Sequence, residues 1–274
     1  METKRTVFYL SDRTGITAET LGNSLLTQFD GVEFKYISIP FIKTAEKAMR
    51  TVEIINRANA EDGIRPLLFC TLVDDEITSI LAQSEGVLLD LFGTFIGPLE
   101  VELGRKSSHS AGRAHGIANT RNYYARIEAM NFAIDSDDGN SPDDWRQADL
   151  ILVGVSRSGK TPTCLYLALQ YGIRAANYPL VECDLKGLIL PESLRPFRNK
   201  LYGLSIDPER LEQIRAERRP NSRYSSKEQC AWELRTAQRL FDAEAIPWLN
   251  TTSKSIEEIA TTILHETGVP RRFF

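Results

Sequence analysis

Eight consecutive residues carry the densest phosphate chemistry in the chain. Gly154, Val155, Ser156, Arg157, Ser158, Gly159, Lys160 and Thr161 satisfy the pattern G-x-x-x-x-G-K-[ST]. Polyphosphate presents several negative oxygens at once, and a tight loop feeding a helix answers them with converging backbone N–H donors and the positive end of the helix dipole. Gly154 and Gly159 let that backbone come close. Lys160 is expected to reach the terminal phosphates as a catalytic point charge, and the Thr161 hydroxyl to sit on a Mg²⁺ ion bridging them. Arg157 either touches a transferred phosphate or points into solvent. Pro162 suits a first helical turn, where a missing N–H costs little. The competing reading is a glycine turn with an exposed lysine.

Phosphoryl transfer also needs an acid near the loop, to hold the metal or to accept a proton. Asp207, at the end of the run Leu201 to Asp207, is the candidate for both the catalytic and the metal role. Because Asp-Pro is also a helix-opening pair, Asp207 as a plain N-cap stands beside that reading, with Asp184 as the alternative acid. Downstream, Arg210, Arg215, Arg218, Arg219 and Arg223 form either a lid over phosphate or a solvated helix paired with Glu209, Glu212 and Glu217.

A second candidate lies near the start, where Ser11-Asp12-Arg13-Thr14-Gly15 follows the first strand. Hydroxyls and Arg13 at a helix N-terminus beyond a strand's carboxyl end suit a phosphate, with Asp12 as a candidate catalytic carboxylate. A cap by Thr14 or Thr17 is the structural alternative. His109, Arg113, His115 and Arg121, and the pair Asp137 and Asp138 beside Gly139, are polar groups in connecting segments; a His could move a proton and the Asp pair could bind Mg²⁺.

The elements that must position these residues follow from periodicity. Val7 to Leu10, Phe34 to Ile39, Leu67 to Leu72 and Val87 to Phe92 read as strands. Thr14 to Phe29, Thr44 to Ala60 and Asp74 to Gln83 read as helices between them, stopped by Gly31, Gly63 and Gly86. After a polar loop over 104–122 and a helix from Tyr123 to Ile134, the turn-rich run 135–142 marks a boundary. Then Asp149 to Val155 reads as a buried strand entering the phosphate loop, and Lys160 to Tyr171 as the helix leaving it. Strands at Ala175 to Val181, Leu201 to Ile206 and Ile246 to Leu249 alternate with helices at Pro208 to Arg218, Ser226 to Glu244 and Ser255 to Thr267. The expectation is an α/β protein: an N-terminal parallel-sheet βαβ domain over 1–142, then a P-loop kinase-like α/β domain over 143–274.

Composition fits this. With 42% hydrophobic and 26% charged residues in 274, the chain is of the ordinary globular kind, and a net charge of −4 argues against general nucleic-acid binding. No apolar stretch is long enough to cross a bilayer, so no membrane is expected and the chain reads as cytoplasmic. Cys70, Cys164, Cys183 and Cys230 are scattered and read as small buried hydrophobes, and three histidines are too few for a metal or triad assignment.

Taken together, these segments resemble the phosphoenolpyruvate synthase regulatory proteins and their relatives that regulate pyruvate, phosphate dikinase. The likeness spans nearly the whole chain. It rests on Ser11 to Glu19, Gly154 to Thr163, Ile173-Arg174-Ala175-Ala176-Asn177-Tyr178-Pro179, Ile206 to Leu211 and Asn221-Ser222-Arg223-Tyr224. Arg13 departs from it, standing where some relatives have Gly. The resemblance implies a bifunctional enzyme that phosphorylates a threonine of phosphoenolpyruvate synthase with ADP as donor, and removes that phosphate with inorganic phosphate, producing pyrophosphate. Gly154 to Thr161 would hold the nucleotide. Tyr166 to Ile173 inclines the likeness to the synthase branch over the dikinase branch; a P-loop kinase of a small metabolite is the other reading, and a homo-oligomer is left open.

Overall fold

The computed structural model describes residues 4–108, 120–140 and 142–272. The chain forms two compact units, Met1–Gly116 and Ile117–Phe274.

In the first unit, β1 (Arg5–Ser11), β2 (Phe34–Ile39), β3 (Leu67–Thr71) and β4 (Val87–Asp90) form a parallel sheet ordered β2-β1-β3-β4. Alternation along the strands sorts the core. Phe8, Leu10, Leu68 and Cys70 cluster with Ile55 of α2 (Ala45–Asp62) and with Ile77 and Leu81 of α3 (Asp75–Leu81). Val7, Tyr9 and Phe69 cluster instead with Ala18 and Leu26 of α1 (Ile16–Leu26).

A helix of this first unit has no counterpart in the sequence pattern. α4 (Leu91–Leu103) follows β4 directly and contains Gly93, Gly97 and Pro98, which interrupt any apolar period. Its start is fixed by Asp90, whose carboxylate accepts the Gly93 N–H at 2.9 Å.

The second unit begins with α5 (Thr120–Asp135) and continues through β5 (Leu150–Val155), α6 (Lys160–Tyr171), β6 (Ala175–Leu180), α7 (Glu182–Gly187), β7 (Leu201–Ser205), α8 (Pro208–Arg218), α9 (Lys227–Ala243), β8 (Trp248–Asn250) and α10 (Ile256–Thr267). Its parallel sheet is ordered β6-β5-β7-β8, the same succession of second, first, third and fourth strands as in the first unit. All six residues of β5 are buried, as a central parallel strand with both faces covered requires. Leu150 and Leu152 pack with α6 and α10, while Ile151, Val153 and Val155 pack toward α9.

The division at 116–117 falls before α5, not at 142 as the turn signal suggests. Ala129 and Ala133 of α5 join Cys164 and Leu167 of α6 in one buried cluster, so that helix is part of the second core. The turn-rich run is a 3₁₀ turn over Asp137–Gly139 that lies on β6. Cys70, Cys164 and Cys230 are buried, but Cys183 is exposed. Among the described residues, no helix is long and apolar enough to cross a membrane.

Candidate active site at the first turn of the second sheet

β5 runs into the loop Ser156–Gly159 at the carboxyl edge of the sheet, where open parallel sheets bind ligands. Sterics fix the glycines. A Cβ on Gly154 would lie 2.3 Å from the Leu204 carbonyl oxygen, so only glycine lets β5 pass this close to β7. Gly159 is the N-cap of α6 with φ of 91° and offers no side-chain cap. Pro162 has no N–H, and the amides of Gly159, Lys160 and Thr161 donate to no group among the described residues. This leaves a 12-residue helix with its first donors open, a site for an anion.

A second observation points the same way. Ser158 is fully buried, yet its Oγ has no hydrogen-bond partner among the described residues. A buried hydroxyl left unpaired is costly, and a bound oxyanion would satisfy it. Arg157 has φ of 76° and an exposed side chain, the solvent-facing arrangement of the two considered.

Lys160 is only 4% exposed and its Nζ donates to the Val155 carbonyl at 2.8 Å. Burial pushes its pKa down from 10.5 to about 8, against the pull of the Asp138 and Asp137 carboxylates. Thr161 Oγ1 donates to Asp137 Oδ1 at 2.8 Å. The same oxygen accepts from Asn177 Nδ2 of β6, while Asn177 Oδ1 receives the Asp138 N–H at 3.2 Å. Asn177 is fully buried and pins the 3₁₀ turn to the sheet, which presents Asp137 to the loop. Ser136, next to Asp137 in the chain, is also buried, and its Oγ has no partner among the described residues.

Thr161 and Asp137 are hard oxygen donors of the kind Mg²⁺ takes in one or two protein contacts, with substrate phosphates completing its shell. No set of three or more His, Cys, Asp or Glu side chains suited to a metal exists among the described residues. Asp207 is placed otherwise. It is the exposed N-cap residue of α8, its carboxylate accepts Asn250 Nδ2 at 2.8 Å, and no hydrogen bond joins it to the loop among the described residues. Asp184 is spent within α7, accepting the Val181 N–H and the Tyr178 hydroxyl.

The arginine cluster disperses. Arg223 pairs with Glu182 at 3.2 Å, Arg210 touches Gln213, and Arg215 is buried at 1% exposure. No arginine of α8 pairs with a glutamate of that helix among the described residues. As a sequence, Arg215 reads as part of a lid or of a solvated helix and Asn177 carries no role of its own, yet each has a signal of burial. Asn177 interrupts the apolar strand 175–180, and Arg215 falls four residues after Leu211, on the stripe of α8 that faces the core.

In the first unit, Asp12 is 8% exposed, and its Oδ2 has no hydrogen-bond partner among the described residues. Burial raises its pKa, opposed by Arg13, by backbone donors including Val73, and by Lys43. The N-cap of α1 is Gly15, with φ of 86° and no side-chain cap, so neither Thr14 nor Thr17 serves. His109, Arg113 and His115 lie outside the described residues, as does the side chain of Arg121.

Comparison with known proteins bears on this geometry. The model of the kinase/pyrophosphorylase family matches residues 7–264. A protein of Pseudomonas aeruginosa (strain UCBPP-PA14) is 55% identical over 273 residues, covering 100% of both chains. One of Stutzerimonas stutzeri (strain A1501) is 56% identical over 269 residues, 98% of this chain and 99% of the relative. One of Legionella pneumophila (strain Corby) is 54% identical over 269 residues, with the same coverage. All three carry the name "Putative phosphoenolpyruvate synthase regulatory protein".

Proposed function

The chain belongs to the kinase/pyrophosphorylase family, and from that premise we propose that it regulates phosphoenolpyruvate synthase by adding a phosphoryl group to a threonine and removing it again. The donor is ADP in the forward direction. In the reverse direction inorganic phosphate takes the group and leaves as pyrophosphate. The observation that carries this reading is the open N-terminus of α6 flanked by buried Lys160 and by the Thr161–Asp137 pair, an anion cradle with a carboxylate beside it. The names of the full-length relatives support the synthase as target.

In the forward step, the target hydroxyl oxygen forms a bond to the β-phosphorus of ADP as the bridge to the α-phosphate breaks, releasing AMP. The amides of Gly159 to Thr161 hold the phosphate oxygens, and Lys160 turns from the Val155 carbonyl to neutralise charge developing on them. Asp137 takes the hydroxyl proton. Mg²⁺, when bound through Thr161 and Asp137, supplies Lewis-acid charge neutralisation. The reverse step uses the same amides to hold the attacking phosphate, which gains the phosphoryl group while the threonine oxygen regains a proton.

The test is to incubate the purified chain with phosphoenolpyruvate synthase and ADP labelled on the β-phosphate, then to add inorganic phosphate. Label on a synthase threonine, discharged as pyrophosphate, is the expected result. Label appearing only in a small molecule, or only on pyruvate, phosphate dikinase, overturns the assignment.

A further inference from the structure

Behind the phosphate loop lies a buried cluster with no direct phosphate role. Arg215 Nη2 donates to the Ser156 carbonyl at 3.1 Å and to Glu233 Oε2 of α9 at 2.7 Å. Its Nη1 donates to the Tyr224 carbonyl at 3.1 Å, and its guanidinium lies 4.2 Å from the centre of the Tyr224 ring. The Tyr224 hydroxyl in turn shares a 3.0 Å hydrogen bond with Ser156 Oγ. Ser156 is therefore gripped at its carbonyl and its hydroxyl by two residues that grip each other.

Arg215 is 1% exposed and its pair with Glu233 is nearly dry, so the charge is balanced inside the protein. A buried ion pair is weak evidence for stability, because desolvation offsets the attraction. Its geometry is better matched to fixing a backbone: a planar fork with several donors holds one carbonyl at a set distance and angle, which an ammonium cannot do. The carbonyl held here belongs to the first residue after β5, at the point where the loop must turn its amides toward a ligand.

We infer that Arg215 and Tyr224 are positioning residues that preset the phosphate loop by clamping Ser156 from its inner side. Nucleoside diphosphate then binds a loop already in its bound shape, and less ordering entropy opposes association. The inference rests on the nucleotide reading of the loop.

The experiment is calorimetric titration of the full chain with ADP and Mg²⁺, comparing the parent with Tyr224→Phe, Ser156→Ala and the double variant, alongside their melting temperatures. Tyr224→Phe keeps the ring on Arg215 and removes only the hydroxyl, so its melting temperature stays within about 2 °C of the parent. Its ADP affinity falls about threefold to tenfold, the range of one hydrogen bond. The double variant binds no more weakly than the weaker single one, because both changes break one bond. Arg215→Lys, measured on folded protein, loses at least about tenfold. If the parent binds no ADP, the nucleotide reading and the clamp fall together. If the parent binds and either Tyr224→Phe or Arg215→Lys keeps full affinity, or if the two single losses add in the double variant, the clamp alone falls.

Discussion

The two sheets have one strand order, and in each the first strand turns into a helix whose N-cap is a left-handed glycine without a side-chain cap: Gly15 at 86° and Gly159 at 91°. Backbone topology therefore offers two equivalent openings, and the side chains separate them. At the second turn a buried lysine, a buried serine hydroxyl without a partner among the described residues and a threonine held by Asp137 converge. At the first, Glu19 Oε1 lies 4.0 Å from where a Cβ on Gly15 would stand, and Asp12 adds a second carboxylate. Two acids beside a helix N-terminus weaken its pull on a phosphate, although Arg13 and exposed Lys43 act on Asp12 in the other direction. Topology selects where a ligand can bind; charge decides what binds.

The strongest break in that comparison is to remove the second turn's buried lysine. Lys160→Ala is expected to reduce phosphoryl transfer by at least about 100-fold. The fold survives, since Lys160 contacts only the Val155 carbonyl among the described hydrogen bonds; circular dichroism and transfer assays on one preparation separate the two effects. Transfer within tenfold of the parent would remove Lys160 from the site. Next in size is Asp137→Asn, expected to cost transfer at least about tenfold and to shift the Mg²⁺ titration to higher concentration. Asp207→Asn, whose carboxylate is already engaged by Asn250, is expected to stay within about twofold. The opposite ranking in parallel Mg²⁺ titrations would return the metal role to Asp207.

Legibility tracked sequence distance. The phosphate loop, its strand and its helix are local: the apolar run 150–155, two glycines and Lys160-Thr161 are contiguous, and each residue's part follows from its neighbours. The strands of both parallel sheets were legible for the same reason. The acid for Thr161 was not, because Asp137 comes 24 residues earlier and is aimed only by its bond to Asn177, 40 residues further on. Asp207 had the better local pattern, a strand ending in Asp-Pro. Asp137 and Asp138 stood out as a pair that could bind Mg²⁺, with no local pattern tying them to the loop. The clamp on Ser156 was equally hidden, since it joins residues 59 and 68 positions apart. α4 stayed unread because its glycines and proline speak against a helix whose start depends on the Asp90 cap.

A graded test uses pH. Burial has lowered the folded pKa of Lys160 to about 8, so in the free protein the ammonium gives way to the amine above that pH, while the unfolded chain keeps its proton to 10.5. The unfolded state thus holds more protons between pH 8 and 10.5, and this residue's unfavourable contribution to stability shrinks as pH rises through that window. Binding has the reverse dependence. A bound phosphate raises the lysine pKa, so association takes up a proton above pH 8, and ADP affinity is expected to fall by up to about tenfold per pH unit there. Titrations from pH 7 to 10 in the parent and in Lys160→Ala check this; the same slope in both would detach the effect from the lysine.

The smallest expected effect belongs to the first turn. Asp12→Asn removes a carboxylate whose Oδ2 has no hydrogen-bond partner among the described residues, in a turn with Glu19 at its mouth. If phosphate binds only at the second turn, ADP affinity should change by less than about twofold, the range of a substitution that breaks no ligand contact. Calorimetric titration reads this directly. A tenfold loss would overturn the assignment of the nucleotide to the second turn alone.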